Sequence, residues 1–239
     1  QRIDLVPNSL PDRLRIQEPD HFARSPDTPP DAPLVFAGKL RGALVLRAVD
    51  ARAQGIGLLP GLTLADARAR VPDLLVVEMD EAADRHWLER LARHCIRWTP
   101  LVSVQAPDGI LLDITGVEHL FGGEAGLVVQ VEDEMAGIGM RVRSAIAATA
   151  EGAAALARHA SLPVEDERAA IRALPVRALG LDAEATVALR RAGLKTIGDL
   201  ATRPSASLAA RFGMAAVTAL RRLLAEEQAP MDPLTQPAP

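Results

Sequence analysis

The chain has 239 residues, 49% of them hydrophobic and 24% charged, with a formal net charge of −4. This is the balance of a folded globular protein long enough for more than one structural unit. No apolar run approaches the roughly 20 residues that cross a bilayer, and no basic segment leading into an apolar one opens the chain, so neither a membrane span nor a secretion signal is expected.

Arg2 to Val6 reads as a short first strand, ended by Pro7 and Asn8. Gln17 to Pro33 is rich in Pro, Asp and Ser and reads as a loop. Leu34–Ala37 and Ala43–Ala48 are β-type runs joined through Gly38–Gly42, which predicts a hairpin. Thr63 opens a helix to Arg70, with Asp66 three residues on as a short capping box. Leu74–Glu78 reads as a strand. Asp80–Trp98 has helical spacing, with Trp87, Leu88, Leu91 and Cys95 on one stripe. Val102–Ala106 and Ile110–Ile114 flank a turn at Pro107-Asp108-Gly109, a second hairpin. Glu124–Ala136 reads as helix, Arg141–Ala147 as strand, and Glu151–His159 as an Ala-rich helix that must pack close to its neighbour. The order from Leu74 is strand, helix, strand, strand, helix, strand, which predicts a split βαβ, ferredoxin-like unit. Beyond Pro163 only short helices follow: Ala183–Arg191, Thr196–Ala201, one opened by Pro204 and broken at Gly213, and Met214–Glu227. Ala229–Pro239, with four prolines and no periodicity, reads as a linker cut from a longer chain.

Tyrosine is absent and aromatics make up 3%, so the core is expected to be Leu, Val, Ile and Ala, with few rings for bases to stack on. Cys95, the single cysteine, fits a reducing cytoplasm and reads as a small buried hydrophobe. His86, His94, His119 and His159 have no metal-ligand spacing. Gly122-Gly123 lacks the Lys and Ser/Thr of a phosphate-binding loop. Charge is uneven: Arg168 to Arg222 holds ten basic and three acidic residues, a surface open either to phosphate or to plain solvation.

Two stretches carry a sharper signal. One is Ala48-Val-Asp-Ala-Arg52, running through Gly61 and Asp66-Ala-Arg68 to Pro72-Asp73-Leu74. The other is Pro107-Asp-Gly-Ile-Leu-Leu-Asp-Ile-Thr-Gly116. Together they resemble the fingers and palm of Y-family translesion polymerases of the DinB type, with a Tyr-x-Ala-Arg motif and a Ser-x-Asp-Glu-Ala-x-Leu-Asp-x-Thr hairpin. Leu174-Pro175 through Gly193–Leu200 to Arg211-Phe-Gly213 resembles that family's thumb. The resemblance implies an α+β fold with a ferredoxin-like palm (1–12 and 74–162), small α/β fingers (13–73), an all-helical thumb with a helix-hairpin-helix-like motif (163–228) and a linker (229–239).

Two-metal nucleotidyl transfer needs carboxylates that hold both cations between hydroxyl and triphosphate. The family supplies one Asp on the first strand and an Asp-Glu pair on the hairpin. Here Asp108 matches the hairpin Asp, but Gly109 replaces the Glu. Asp4 stands near the first-strand position, and Val6 replaces the second acid there. At most two of three ligands remain, and Asp113, five residues from Asp108 on a strand, falls on the other face. Arg52 matches the phosphate-binding arginine, whereas Val49 replaces the tyrosine. Ala145–Ala154 resembles the stretch that carries the family's lysine, yet has Ala148, Ala150 and Glu151. In the thumb, Gly180-Leu-Asp182 matches a Gly-x-Gly turn that lays N–H groups on a DNA phosphate. Arg190, Arg191 and Lys195 lie nearby.

Leu112–Gly123 and Leu10-Pro-Asp-Arg-Leu14 are similar to the non-catalytic branch of the family found in bacterial mutasome cassettes. That likeness implies an adaptor in DNA damage-induced mutagenesis, cytoplasmic and nucleoid-associated, needing no cofactor. It implies weak binding of primer-template or single-stranded DNA. It also implies contacts with a sliding clamp, ImuA and an error-prone DnaE-type polymerase, mostly through a little finger and tail. Two other functions remain open at this point: a residually active polymerase using Asp4, Asp108 and Glu151, and a simple thumb-mediated DNA-binding module.

Overall fold

The structure, a computed structural model, describes residues 2–7, 32–40, 42–140 and 142–234. The loop expected over residues 17–33 and the motif at residues 10–14 lie largely or wholly outside them. In chain order the elements are β1 (Arg2–Pro7), β2 (Leu34–Leu40), β3 (Ala43–Val49), α1 (Ala51–Gly55), α2 (Leu64–Arg70), β4 (Leu75–Glu78), α3 (Glu81–Cys95), β5 (Val102–Gln105), β6 (Gly109–Asp113), α4 (Gly123–Gly137), β7 (Val142–Ala147) and α5 (Ala150–His159). The helices α6 (Glu167–Ala173), α7 (Ala183–Arg191), α8 (Ile197–Ala201), α9 (Ser205–Phe212) and α10 (Met214–Leu223) follow. Single 3₁₀ turns cover Glu118–Phe121 and Val176–Leu179. No helix among the described residues is long and apolar enough to cross a membrane.

The chain divides into two compact units. One holds residues 7–86 and 134–141, the other residues 1–6, 87–133 and 142–239. The first is built on a three-stranded sheet ordered β3-β2-β4. The predicted hairpin is there, β2 antiparallel to β3, with Lys39 opposite Leu44. Thr63 caps α2 as expected, its hydroxyl accepting the Asp66 N–H. Val35, Leu46, Leu58 and Ala67 are fully buried in this unit's core.

The second unit carries a four-stranded sheet ordered β5-β6-β1-β7. This is the ferredoxin-like order, but its first strand is not the expected one. Leu75–Glu78 pairs in parallel with β2, and the strand that completes the split βαβ is β1, antiparallel to β6 with Ile3 opposite Leu112. A parallel partner across a long connection leaves no local signature, so the β-type run at Leu74 could be recognised while its sheet could not. The β5–β6 hairpin closes where predicted, with Gln105 opposite Gly109.

One cluster of buried residues runs from Ala145 and Ala147 on β7, through Leu156 on α5, to Ile171, Leu189, Ile197, Leu200, Val217 and Leu220 of the short helices. The small side chains of α5 permit this: Gly152, Ala153, Ala155, Leu156 and Ala157 are all buried. Leu174 and Ile197 are drawn together by backbone pairing, Ile197 N–H to Leu174 O at 2.9 Å and Val176 N–H to Lys195 O at 3.0 Å. Three of the short helices are set by polar caps: Asp166, Asp182 and Thr196 accept the N–H groups of Ala169, Ala185 and Asp199. Such caps contribute roughly 1 kcal/mol each. The last segment returns to the sheet, where Leu234 donates its N–H to Val102 O on β5 at 2.7 Å.

Gly126 on α4 offers a test of this packing. A Cβ there would collide with the carbonyl oxygen of Phe121. Helix propensity alone favours Ala over Gly by about 1 kcal/mol. We expect the opposite sign, Gly126→Ala lowering stability by about 1–3 kcal/mol in a denaturant melt, because a backbone oxygen cannot yield as a side chain can.

Candidate functional site

The β5–β6 turn presents Asp108, whose side chain is 32% exposed. Its Oδ1 does not face open solvent. Arg158, near the end of α5, donates to it from Nη2 at 3.0 Å and, through Nη1, to the carbonyl of Ala154 at 3.1 Å. The Ala-rich helix lies close enough for this reach. The next hairpin residue, Gly109, has no side chain to offer. Asp4 lies on β1 opposite Leu111. Asp113 has other duties: its Oδ1 accepts the Thr115 N–H at 3.0 Å, and its carbonyl accepts the Thr99 hydroxyl at 2.6 Å. Among the described residues no three His, Cys, Asp or Glu side chains gather as a metal site. A divalent cation at Asp108 would be set beside a guanidinium, and like charges in contact repel. Among the described residues, the hairpin acid is thus engaged by a cationic side chain of the chain itself.

The anion side is altered in the same sense. β7 turns into α5 at Ala148 and Thr149. The Ala148 N–H donates to Glu167 Oε1 of α6 at 3.0 Å, and Thr149 Oγ1 accepts the Gly152 N–H at 3.0 Å. A helix start draws anions through such N–H groups; here the Ala148 N–H meets a carboxylate of the chain and the Gly152 N–H the Thr149 hydroxyl. Glu151 adds a second charge in the first turn. Its Oε2 is buried and makes no hydrogen bond among the described residues. It lines a cleft of about 640 Å³ with Ser103, Leu111, Ala154 and the returning segment Ala229–Leu234. That lining carries the carboxylates of Glu151 and Asp232 and, among the described residues, no Lys or Arg. These two carboxylates make the cleft unfavourable to an anion.

Val49 and Arg52 belong to the other unit. They flank Asp50, which caps α1 by accepting the Ala53 N–H at 2.7 Å; Arg52 is exposed. In the short-helix region Gly180 takes a left-handed φ of 67°, a conformation that favours glycine. Asp182 is a helix cap, its Oδ1 2.7 Å from the Ala185 N–H. Arg190 and Arg191 end α7, and they and Lys195 are exposed. Asp199 accepts the N–H groups of Thr196 and Lys195, both at 2.9 Å. The Thr196 bond, then that of Lys195, holds its carboxyl below the usual range. Burial pushes the Cys95 thiol up to about 12, against a smaller opposing effect of Arg97, which leaves it unreactive. Burial, then Arg177 and Arg158, lowers the pKa of His159.

The model of the impB/mucB/samB family matches residues 23–158, more than half of the chain. This chain belongs to the impB/mucB/samB family. Protein ImuB of Caulobacter vibrioides (strain NA1000 / CB15N) is 46% identical over 173 residues, covering 71% of this chain and 38% of that protein. DNA polymerase IV of Dehalococcoides mccartyi (strain CBDB1) is 23% identical over 191 residues, 77% of this chain and 49% of that one. The crystal structure of DinB from Sulfolobus solfataricus superposes with a TM-score of 0.72 at 16% identity, covering 98% of this chain and 70% of that one. This chain thus spans less than half the length of these curated relatives. Its fold is the α+β fold of the Y-family polymerases, with palm-like and fingers-like sheets and a helical thumb-like region.

In this impB/mucB/samB chain three side chains shape the surroundings of α5 although no sequence motif points to them. Arg158 shares a helical stripe with Glu151 and Ala154, which is visible locally, but its partner lies 50 residues away. Glu167 reaches a backbone group 19 residues back, for which no local pattern exists. A third, Arg143 on β7, closes the end of α5 by donating to the carbonyls of Ala157 at 2.7 Å and Ala160 at 2.6 Å.

A double-mutant cycle on Arg158→Ala and Asp108→Ala should give a coupling of about 1 kcal/mol, since the pair is partly exposed and screened; thermal melts of the four proteins measure it. The acid limb of the stability curve should depend on Asp199. Its pKa is lower folded than unfolded, so its contribution is complete above the ordinary carboxylate pKa and fades as pH falls toward the folded value. Asp199→Asn should flatten that part of the curve and leave neutral pH without a slope of its own.

Proposed function

We propose that this chain is the polymerase-like part of a non-catalytic adaptor in translesion synthesis and damage-induced mutagenesis. The Asp108–Arg158 pair is the observation that carries the reading. A hairpin acid already paired with a guanidinium, next to Gly109, is a weakened cation ligand, since a bound cation would sit beside that positive charge. Phosphoryl transfer depends on positioning and charge stabilisation, so such a loss is severe. The carboxylates of Glu167 and Glu151 at the start of α5 act in the same direction against a triphosphate.

On this reading the fold keeps its value as a scaffold. Gly180, Arg190, Arg191 and Lys195 hold primer-template or single-stranded DNA weakly through phosphates. The resemblance of residues 112–123 and 10–14 to the non-catalytic branch of the family is what supports recruitment of a sliding clamp, ImuA and a DnaE-type polymerase, chiefly through the parts of such a relative that this chain does not span. The setting is the bacterial cytoplasm, with association to the nucleoid through DNA.

Primer extension with Mg²⁺ or Mn²⁺ tests the reading. We expect no nucleotide addition, and none from Gly109→Glu alone, because Arg158 still holds Asp108 and Val49 and Glu151 are unchanged. Metal-dependent incorporation by the unaltered chain, abolished by Asp108→Asn, would overturn the proposal and favour a residually active polymerase.

A further inference from the structure

We propose that the exposed surface along the end of α3, with Arg90 and Arg93 on the helix and Arg97 in the turn after it, binds single-stranded nucleic acid independently of the thumb-like residues. The three arginines recur at i, i+3 and i+7, one side of a helical path, and all are exposed. At 1.5 Å per residue they span about 10 Å, which sets guanidinium groups in a row as a strand sets its phosphates. The chain as a whole is acidic, at −4, so a basic row here runs against the background. Glu89 is the one acid between residues 87 and 98, and it lies 3.6 Å from Arg93.

The second observation is aromatic. Both tryptophans of the chain flank this row. The Arg90 guanidinium lies 4.9 Å from the centre of the Trp87 ring. Arg97 lies 5.9 Å from that of Trp98, and His94 meets the Trp98 ring edge-on at 6.2 Å. Trp98 is buried at 6% exposure, whereas Trp87 is only half-buried. A guanidinium held over a half-exposed indole makes a flat cationic platform, the surface on which an unpaired base stacks while phosphates meet the neighbouring charges. An acidic peptide would use the charges and leave the indole idle, so the nucleic acid is the better fit.

The two tryptophans also report the test. The whole chain is titrated with oligo(dT) at several salt concentrations, following tryptophan emission. Binding should quench emission, and Trp87→Phe should remove the quench while Trp98 still emits. Each phosphate contact on a single strand contributes about 0.7 to the salt slope, so Arg90→Ala with Arg97→Ala should lower the slope by about 1.4. Arg90→Lys with Arg97→Lys should keep the slope and reduce the quench. Arg190→Ala with Lys195→Ala should leave the quench intact. These side chains are exposed, so circular dichroism should be unchanged; if the Ala pair unfolds, the Lys pair and Trp87→Phe carry the test. An unchanged slope and quench in a folded Ala pair overturns the proposal. So does a polyglutamate peptide that displaces oligo(dT) from this face at equal salt and binds it more tightly, which would assign the face to an acidic protein.

Discussion

A guanidinium against a carboxylate, 3.0 Å apart between α5 and the β5–β6 turn, governs what this sheet can do. In a two-metal site the positive charge comes from ions, and the protein contributes acids. Here the positive charge is covalently part of the chain. The hairpin keeps its shape because Gln105 and Gly109 still pair and Asp113 still organises the following turn. The charge that meets Asp108 comes from Arg158, and α5 is close enough to supply it because its packing face is built largely from alanine and glycine.

The same substitution recurs on the other side of α5. The N–H groups at its start, open to an anion in principle, meet Glu167 and the Thr149 hydroxyl. Asp108 and the Ala148 N–H are thus both met by side chains whose partners are fixed by the fold. These groups hold the chain's own elements together: Arg158 joins α5 to the hairpin, and Glu167 joins α6 to the β7–α5 turn. The arginines that end α7, and those along and just after α3, lie outside that network and face solvent, where other molecules can reach them.

Much of this architecture was legible in the residues. The Pro107-Asp108-Gly109 turn, the Thr63 cap, the helical stripe of Leu88, Leu91 and Cys95, and the break at Gly213 are local chemistry, and local chemistry is what periodicity and turn propensity report. The pairing of β4 with β2 was not legible, because a parallel ladder across some 40 residues depends on the whole unit folding. The short helices α1 and α6 leave no signal for the converse reason: one or two turns hardly establish a period, and Asp50 and Asp166 read as ordinary loop acids until their caps are seen. At the β5–β6 turn and the start of α5, the residue types at Gly109 and Ala150 could be read directly. The contacts of Arg158 and Glu167 could not, since they act across long stretches of chain and nothing at their own positions announces a partner.

The return of Ala229–Leu234 to the sheet bears on a hazard unrelated to DNA. β5 is the outermost strand in the order β5-β6-β1-β7, and an uncovered outer strand is a template on which another chain can add itself. Leu234 takes the Val102 carbonyl, and Pro230 and Pro233 beside it have no N–H to pass the ladder onward. The segment therefore occupies the sheet margin at Val102 without offering a continuous ladder of its own.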